Sequence, residues 1–435
     1  MPTTKENLTD APGNLIVLSL VSLLAGMASG LVGAIFRLTL QQADHFRGIL
    51  VAWAHEARHL PGFLLVVGAI SVATAAAAWL VHRFSPQATG SGIPHTEAVL
   101  DGKLRPAPFR LIPVKFLGGS LAIGAGLALG REGPTVQMGA SISYLMGRLF
   151  HRTWPDCRVL MAAGAGAGLA TAFNAPIAGA AFVLEELVRQ FETRIAIAAL
   201  AASAGAIAVA RVFLGQAPDF QVAPFPYLGF GTVFIHLILG IIVGFLGVAY
   251  NRAILGALTA KNRLRQWPVE LLAGLIGAGV GLLAWFGPSL VGGGDAITQH
   301  TLAGAEVLSL VSFVFLIRFG LGAVSYAAGT PGGLFAPMLV LGAQIGLLFG
   351  TLCGHFLPEG AASPAAFAVI GMAAFFTAVV RAPLTGIILV IEMTASFTML
   401  LPMLASCATA MLVPTCLSDP PIYDSLSLPE FLQKE

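Results

Sequence analysis

Thirteen apolar runs follow one another along this chain, near residues 14–37, 62–81, 112–130, 135–150, 158–187, 194–214, 230–256, 269–290, 306–328, 334–356, 364–380, 382–394 and 398–415. They leave little else from which to build a fold. A bilayer's hydrocarbon core of roughly 30 Å takes about 20 apolar residues per helix, so the longer runs can span it. Others are too short, or too broken by Gly and Pro, to be simple spans. Charged residues make up only 10% of the 435 positions, against roughly a quarter in a soluble globular chain. Transmembrane strands would alternate in pieces of about ten residues, whereas these runs are continuously apolar. The expected class is therefore an all-α polytopic membrane protein. The first run, NLIVLSLVSLLAGMASGLVGAIF, contains a small-residue patch like a signal-peptidase site, but Lys5 is the only basic residue ahead of it and the apolar stretch continues. It is read as a retained helix.

The net charge of +2 hides an uneven distribution. Lys103, Arg105, Arg110 and Lys115 lie in DGKLRPAPFRLIPVK; Arg148, Arg152 and Arg158 in GRLFHRTWPDCR; Lys261, Arg263 and Arg265 in KNRLRQ. Basic connections stay on the cytoplasmic side, where both termini are also expected. No basic run is long enough to imply nucleic acid. Cys157, Cys353, Cys407 and Cys416 have neither a disulfide-like nor a metal-like spacing, and the nine histidines form no HxxxH or HExxH cluster. Neither a metal nor a cofactor is expected.

The two halves of the chain resemble each other. GAGAGLATAFNAPIAGAAFVLE (164–185) aligns without gaps on GMAAFFTAVVRAPLTGIILVIE (371–392), keeping Gly164/Gly371, Ala175-Pro176/Ala382-Pro383, Gly179/Gly386, Val183/Val390 and Glu185/Glu392. Upstream, GREGPTVQMG matches GLFAPMLVLG (333–342) as G-x-x-x-P-x-x-x-x-G. Duplicated membrane halves commonly form inverted repeats around a site at mid-membrane, built from discontinuous helices. The interrupted segments in corresponding positions are 130–134 and 329–337.

Three breaks share one form: GSGIP (Gly90, Ser91, Gly92, Ile93, Pro94), GREGP (Gly130, Arg131, Glu132, Gly133, Pro134) and GGLFAP, which ends in Gly333, Leu334, Phe335, Ala336 and Pro337. Glycine permits a tight turn and close backbone approach, and proline is tolerated in a helix's first turn. Each break reads as a helix start placed inside the membrane. Such a start exposes free N–H groups and about half a positive charge, so it attracts anions without a full cation. Several partial charges replace an ion's hydration while still allowing exit, which suits a small permeating anion. A nucleotide loop is excluded, because GSGIP lacks the Lys-Ser/Thr ending and the strand context.

These motifs, with VKFLGG, AFNAPIAGAAFVLEE, GTPGGLFAPML, RAPLTGIILVIEMT and the tyrosine of PPIYDSL, resemble the CLC family of chloride channels and chloride/proton antiporters, in particular its bacterial antiporter type. The likeness extends over nearly the whole chain. It implies a CLC-type inverted repeat with many tilted and broken helices, in a homodimer with one anion pathway per subunit, in a bacterial inner membrane. It further implies an N-terminal cytoplasmic segment over 1–13, the two half-repeats over 14–215 and 216–417, and a short C-terminal segment over 418–435 expected to lack regulatory domains. By the same resemblance, the Ser91 hydroxyl and Tyr423 phenol hold a central chloride together with the backbone N–H groups of Leu334 and Phe335. Glu132 is then the gating glutamate. Branches specialised for fluoride or nitrate typically carry another residue at position 91, so Ser91 points to chloride.

Glu132 also has a physical reading of its own. Ionised, it can occupy the helix-terminus cage in chloride's place; protonated, it swings away and admits chloride. Low-dielectric surroundings favour the acid and helix N-termini the carboxylate. Exchange further needs an inner proton acceptor. Glu185 has the counterpart Glu392 and is assigned to the scaffold, whereas Glu186 faces Met393 and is free for the proton role, matching the family's internal proton-transfer glutamate. The alternative for Glu186 is an ordinary helix-end residue paired with Arg189. The expected function is secondary active exchange of chloride for protons; the alternatives are a passive chloride channel of the same fold and an intramembrane carboxylate enzyme, for which no nucleophile or metal is found. Arg131 fits either a structural or a pore-mouth role. Glu97 and Lys115 are expected to form a buried pair, and His95 stands where close relatives carry an acidic residue.

Overall fold

A computed structural model of the chain describes residues 12–57, 59–225, 232–304, 308–354 and 363–427. Among these residues there are seventeen α-helices and no strand. The first half contains α1 (Pro12–Ala57), α2 (His59–Phe84), α3 (Ile93–Leu100), α4 (Leu111–Gly124), α5 (Glu132–Leu149), α6 (Trp154–Phe173), α7 (Pro176–Phe182) and α8 (Thr193–Leu214). After it come α9 (Val233–Arg263), α10 (Val269–Phe286), α11 (Asp295–Ala303), α12 (Leu308–Ala327), α13 (Phe335–Gly354), α14 (Pro364–Val380), α15 (Pro383–Thr394), α16 (Leu400–Cys416) and α17 (Ile422–Leu426). Eight of the described helices are long and apolar enough to cross a membrane. The chain is a multi-pass membrane protein.

Helix boundaries follow Gly and Pro more closely than they follow apolar runs. The first run, expected to end near residue 37, continues as one 46-residue helix, because no proline interrupts it before Pro61. The run at 158–187 is instead cut at Asn174, whose backbone is left-handed (φ 51°), just before Ala175-Pro176. The equivalent Arg381 (φ 71°) cuts the other half before Ala382-Pro383. A proline disfavours helical geometry in the residue before it and is well placed in the first turn of the next helix.

The core of each half is a pair of helices packed backbone to backbone. In α6 every residue from Val159 to Phe173 is buried, and in α14 every residue from Ala366 to Val380. A Cβ placed on Gly139 of α5 would overlap the Gly164 carbonyl of α6; one on the equivalent Gly342 of α13 would overlap the Gly371 carbonyl of α14. Inside lipid there is no hydrophobic drive between helices, so close approach through small residues supplies the packing.

Contacts between the halves are reciprocal. Glu185 accepts hydrogen bonds from the N–H groups of Leu384 (2.9 Å) and Thr385 (2.6 Å), which open α15. Its counterpart Glu392 accepts from Ile177 (3.1 Å) and Ala178 (2.8 Å), which open α7. Each half thus caps the other's helix start, which accounts for Glu185 as a scaffold residue. Gly130 and Gly333, equivalent in the alignment, pair with each other in antiparallel sense through two hydrogen bonds of 2.8 and 2.7 Å. Equivalent segments running in opposite directions are the geometry of an inverted repeat. We predict that Gly139→Val and Gly342→Val each destabilise the protein by about 3 kcal/mol through overpacking, seen as a lower thermal unfolding temperature in detergent.

Candidate functional site

The three glycine-to-proline breaks open helices, as expected from the sequence. GSGIP leads into α3 with Pro94 as its second residue, GREGP into α5 with Glu132 first and Pro134 third, and GGLFAP into α13 with Phe335 first and Pro337 third. Gly90 (φ 62°) and Gly92 (φ 80°) hold left-handed conformations on either side of Ser91, which is why glycine is required there. Two isolated bridges, Gly90 with Pro331 and Gly130 with Gly333, tie the three loops together.

Glu132 lies where these loops meet and is fully buried. Its Oε1 accepts hydrogen bonds from the Phe335 N–H at 2.6 Å and the Ala336 N–H at 3.4 Å, the free donors that begin α13. Its Oε2 is buried without a partner. The carboxylate is enclosed by two glycines: a Cβ on Gly333 would overlap Oε1 and one on Gly130 would overlap Oε2. On the other side of α5's first turn, Gly133 packs on the backbone and side chain of Ser91.

Ser91, Phe335 and Tyr423 converge around this point. Ser91 is buried, and its hydroxyl accepts the Ile93 N–H at 3.2 Å. Tyr423 is fully buried, its phenol oxygen has no partner, and its ring centroid lies 6.0 Å from that of Phe335. Phe335 is held in an aromatic nest by Phe376 (4.6 Å), Phe182 (5.8 Å) and Phe173 (6.4 Å). Leu334 is likewise fully buried. The result is a cluster of hydroxyls and helix-start N–H groups with one carboxylate seated in it, a chemistry that holds an anion by partial charges.

Glu186 contacts other groups. It sits in a five-residue π-helical turn, Val183–Leu187, at the end of α7, a local widening often found at functional positions. Its carboxylate lies 3.5 Å from Arg189, which binds Asp424 more closely at 2.6 Å. Glu186 shares a cavity of about 330 Å³ with Glu97, Asp101, Lys103, Arg189 and Asp424. The expected Glu97–Lys115 pair does not form. Lys115 is completely buried and donates to the carbonyls of Ala88 (3.0 Å) and Gly90 (2.8 Å), so it braces the loop that carries Ser91, while Glu97 faces the Glu186 cavity with one oxygen unpaired.

With this geometry in place, the family model described as voltage gated chloride channel matches residues 73–415. The chain belongs to the CLC family. A relative described as the H(+)/Cl(-) exchange transporter ClcA of Cronobacter sakazakii is 37% identical over 423 residues, covering 94% of this chain and 89% of the relative. The solved structure of a slow cyanobacterial Cl-/H+ antiporter superposes with a TM-score of 0.89 at 34% identity, over 94% of this chain and 97% of that one. A CLC-type fluoride/proton antiporter superposes with a TM-score of 0.80 over 95% of this chain and 98% of its own, but at 22% identity it shares the fold alone.

In this CLC protein two features of the site escape its motifs. Arg131 donates to Ala172 O (2.8 Å), Asp295 (2.6 Å) and Asp219 (3.0 Å), and Asp219 also binds Arg37 at 2.7 Å. The guanidinium is thereby committed to its own aspartates and leaves Glu132 without an ion pair. Asp219 and Asp295 lie 88 and 164 residues from Arg131, a separation no local pattern could bridge. The other is Tyr326 of α12, whose phenol oxygen accepts the Ser91 N–H at 3.4 Å; its only signal is that the chain has just five tyrosines. The Asp219 side chain is 5% exposed and that of Asp295 is 51% exposed. Removing the charge at Asp219 takes the carboxylate from Arg37 and one of the two from Arg131, so Asp219→Asn should cost about 3 kcal/mol of stability. By contrast, Asp295→Asn should cost less than about 1 kcal/mol. Equal losses in thermal unfolding would contradict this ordering.

Proposed function

We propose that this chain exchanges chloride for protons across a bacterial inner membrane, as a homodimer with both termini cytoplasmic and one pathway in each subunit's paired halves, residues 14–215 and 216–417. The observation that carries this reading is the Glu132 carboxylate on the Phe335 and Ala336 N–H groups. An ionised carboxylate and a chloride ion require the same donors, so only one can hold them at a time. Protonation removes the charge from Glu132, the neutral side chain leaves, and chloride is admitted beside Ser91, Leu334, Phe335 and Tyr423. The same carboxyl group carries the proton, which links the two movements in opposite directions.

Glu186 is the inner proton acceptor in this scheme. Its burial and its position on the cavity lined by Asp101, Lys103 and Asp424, which are partly or fully exposed, support a route from the cytoplasmic side. The relatives named as exchangers support exchange over passive conduction.

Purified protein in liposomes separates these readings. Under an imposed chloride gradient at zero voltage, protons should move uphill; chloride movement without proton movement would mean a channel. In Glu186→Ala, proton coupling should be lost while chloride flux remains. In Glu132→Ala, chloride flux should persist and no longer vary with pH. Flux in that variant that still followed pH as in the parent would refute the gating role.

A further inference from the structure

One guanidinium joins the segment that carries Glu186 to the segment that carries Tyr423. Arg189 donates from Nε to the Glu186 carbonyl at 3.2 Å, and its Nη2 lies 3.5 Å from Glu186 Oε1 and 2.6 Å from Asp424 Oδ1. Arg189 and Asp424 are 235 residues apart in the chain. Asp424 directly follows Tyr423 on α17, a helix of only five residues. Tyr423 is fully buried with its phenol oxygen unpartnered, whereas the Asp424 side chain is 39% exposed. The two residues are neighbours on one short helix, so a pull on Asp424 is felt at Tyr423.

The backbone sets Arg189 in this position. It comes two residues after the π-helical turn Val183–Leu187 and is left-handed, at φ 54°, a conformation that costs a residue with a side chain more than it costs glycine. Both carboxylates then claim the same nitrogen. An ionised Glu186 competes with Asp424 for Nη2, whereas a protonated Glu186 has no charge to compete with and leaves Asp424 as the sole ionic partner. The other charged groups that face Glu186 do not take over this role. Glu97, Asp101 and Lys103 share its cavity, but Lys103 is paired with Asp101 at 2.8 Å, and the adjacent Glu185 is held by α15. A pair as exposed as Arg189–Asp424 adds little to stability; it can still bias α17 between two positions.

We propose that Arg189 is a positioning residue, shared between Glu186 and Asp424, that makes the hold on Tyr423 depend on whether Glu186 carries a proton. Proton arrival at Glu186 hands Arg189 to Asp424, which draws α17 toward the Glu186 turn and keeps Tyr423 beside the chloride path. Proton loss returns part of the guanidinium to Glu186 and loosens α17. Without this link chloride passes Tyr423 on cycles in which Glu186 carries no proton. The inference rests on the exchange reading above and adds to it an ion pair that lies outside all three glycine motifs.

The test is the number of chloride ions moved per proton, read from the reversal potential in liposomes, for Arg189→Gln, Asp424→Asn and Asp424→Glu. The first two should raise that ratio by about twofold, whereas Asp424→Glu, which keeps the charge, should hold the parental value. A parental ratio in the first two, or a ratio raised just as far in Asp424→Glu, overturns the proposal. A pair that only held the fold together would change the unfolding temperature and leave the ratio alone. If the parent protein moves no protons against chloride, the exchange reading itself fails, a result distinct from an unaltered ratio in an active exchanger. Amide hydrogen exchange of residues 422–426 gives a check that leaves Arg189 and Asp424 in place. In alkaline solution these amides should exchange about twofold to fivefold more slowly in Glu186→Gln, which imitates the neutral acid, than in the parent protein. Equal or faster exchange in Glu186→Gln overturns the proposal.

Discussion

Helices that begin inside a membrane protein expose backbone N–H groups that must find an acceptor, because each left unpaired in a dry environment costs several kcal/mol. This fold meets that need three times with a carboxylate. Glu185 serves the start of α15 and Glu392 the start of α7, each with both oxygens hydrogen-bonded. Glu132 serves the start of α13 with one oxygen only, the other being buried and unpaired. The difference separates structure from function. A carboxylate satisfied at both oxygens has nothing to gain by leaving, whereas one that is half satisfied can be exchanged for a spherical anion at little loss.

The surroundings preserve that replaceability. Arg131, the adjacent cation, would hold Glu132 in place if the two paired, but its donors are committed to Asp219, Asp295 and the Ala172 carbonyl. Gly130 and Gly333 leave just enough room for the carboxylate between them. Lys115 is likewise committed to two backbone carbonyls that brace the Ser91 loop, so its full charge is not directed at the anion. In the proposed exchange, binding then relies on hydroxyls and helix-start N–H groups, whose partial charges retain an ion without trapping it.

Much of this was legible in the sequence because the duplication provides an internal control. Comparing Glu185 with Glu392, and Glu186 with Met393, separates a scaffold carboxylate from one that the scaffold does not need, and the structure bears out the first half of that contrast in the reciprocal caps. Helix starts were legible because Gly and Pro act locally, which is also why Asn174 ends a helix that apolarity alone would continue. What was not legible depends on distance in the chain. Arg131 meets its aspartates and Tyr326 the Ser91 N–H only once the halves are folded together, and Lys115 finds carbonyls 27 and 25 residues away instead of Glu97.

The central claim is that chloride and the Glu132 carboxylate compete for the same N–H groups. It is tested most directly by the protons exchanged with solvent when chloride binds to the detergent-solubilised protein in weakly buffered solution. Chloride displaces the carboxylate, and the displaced, buried group is favoured as the neutral acid, so binding should take up protons and chloride affinity should rise as pH falls. Proton uptake that disappears in Glu132→Gln is the predicted result. Chloride binding with no proton uptake in the parent protein, at any pH between about 5 and 8, would contradict the account.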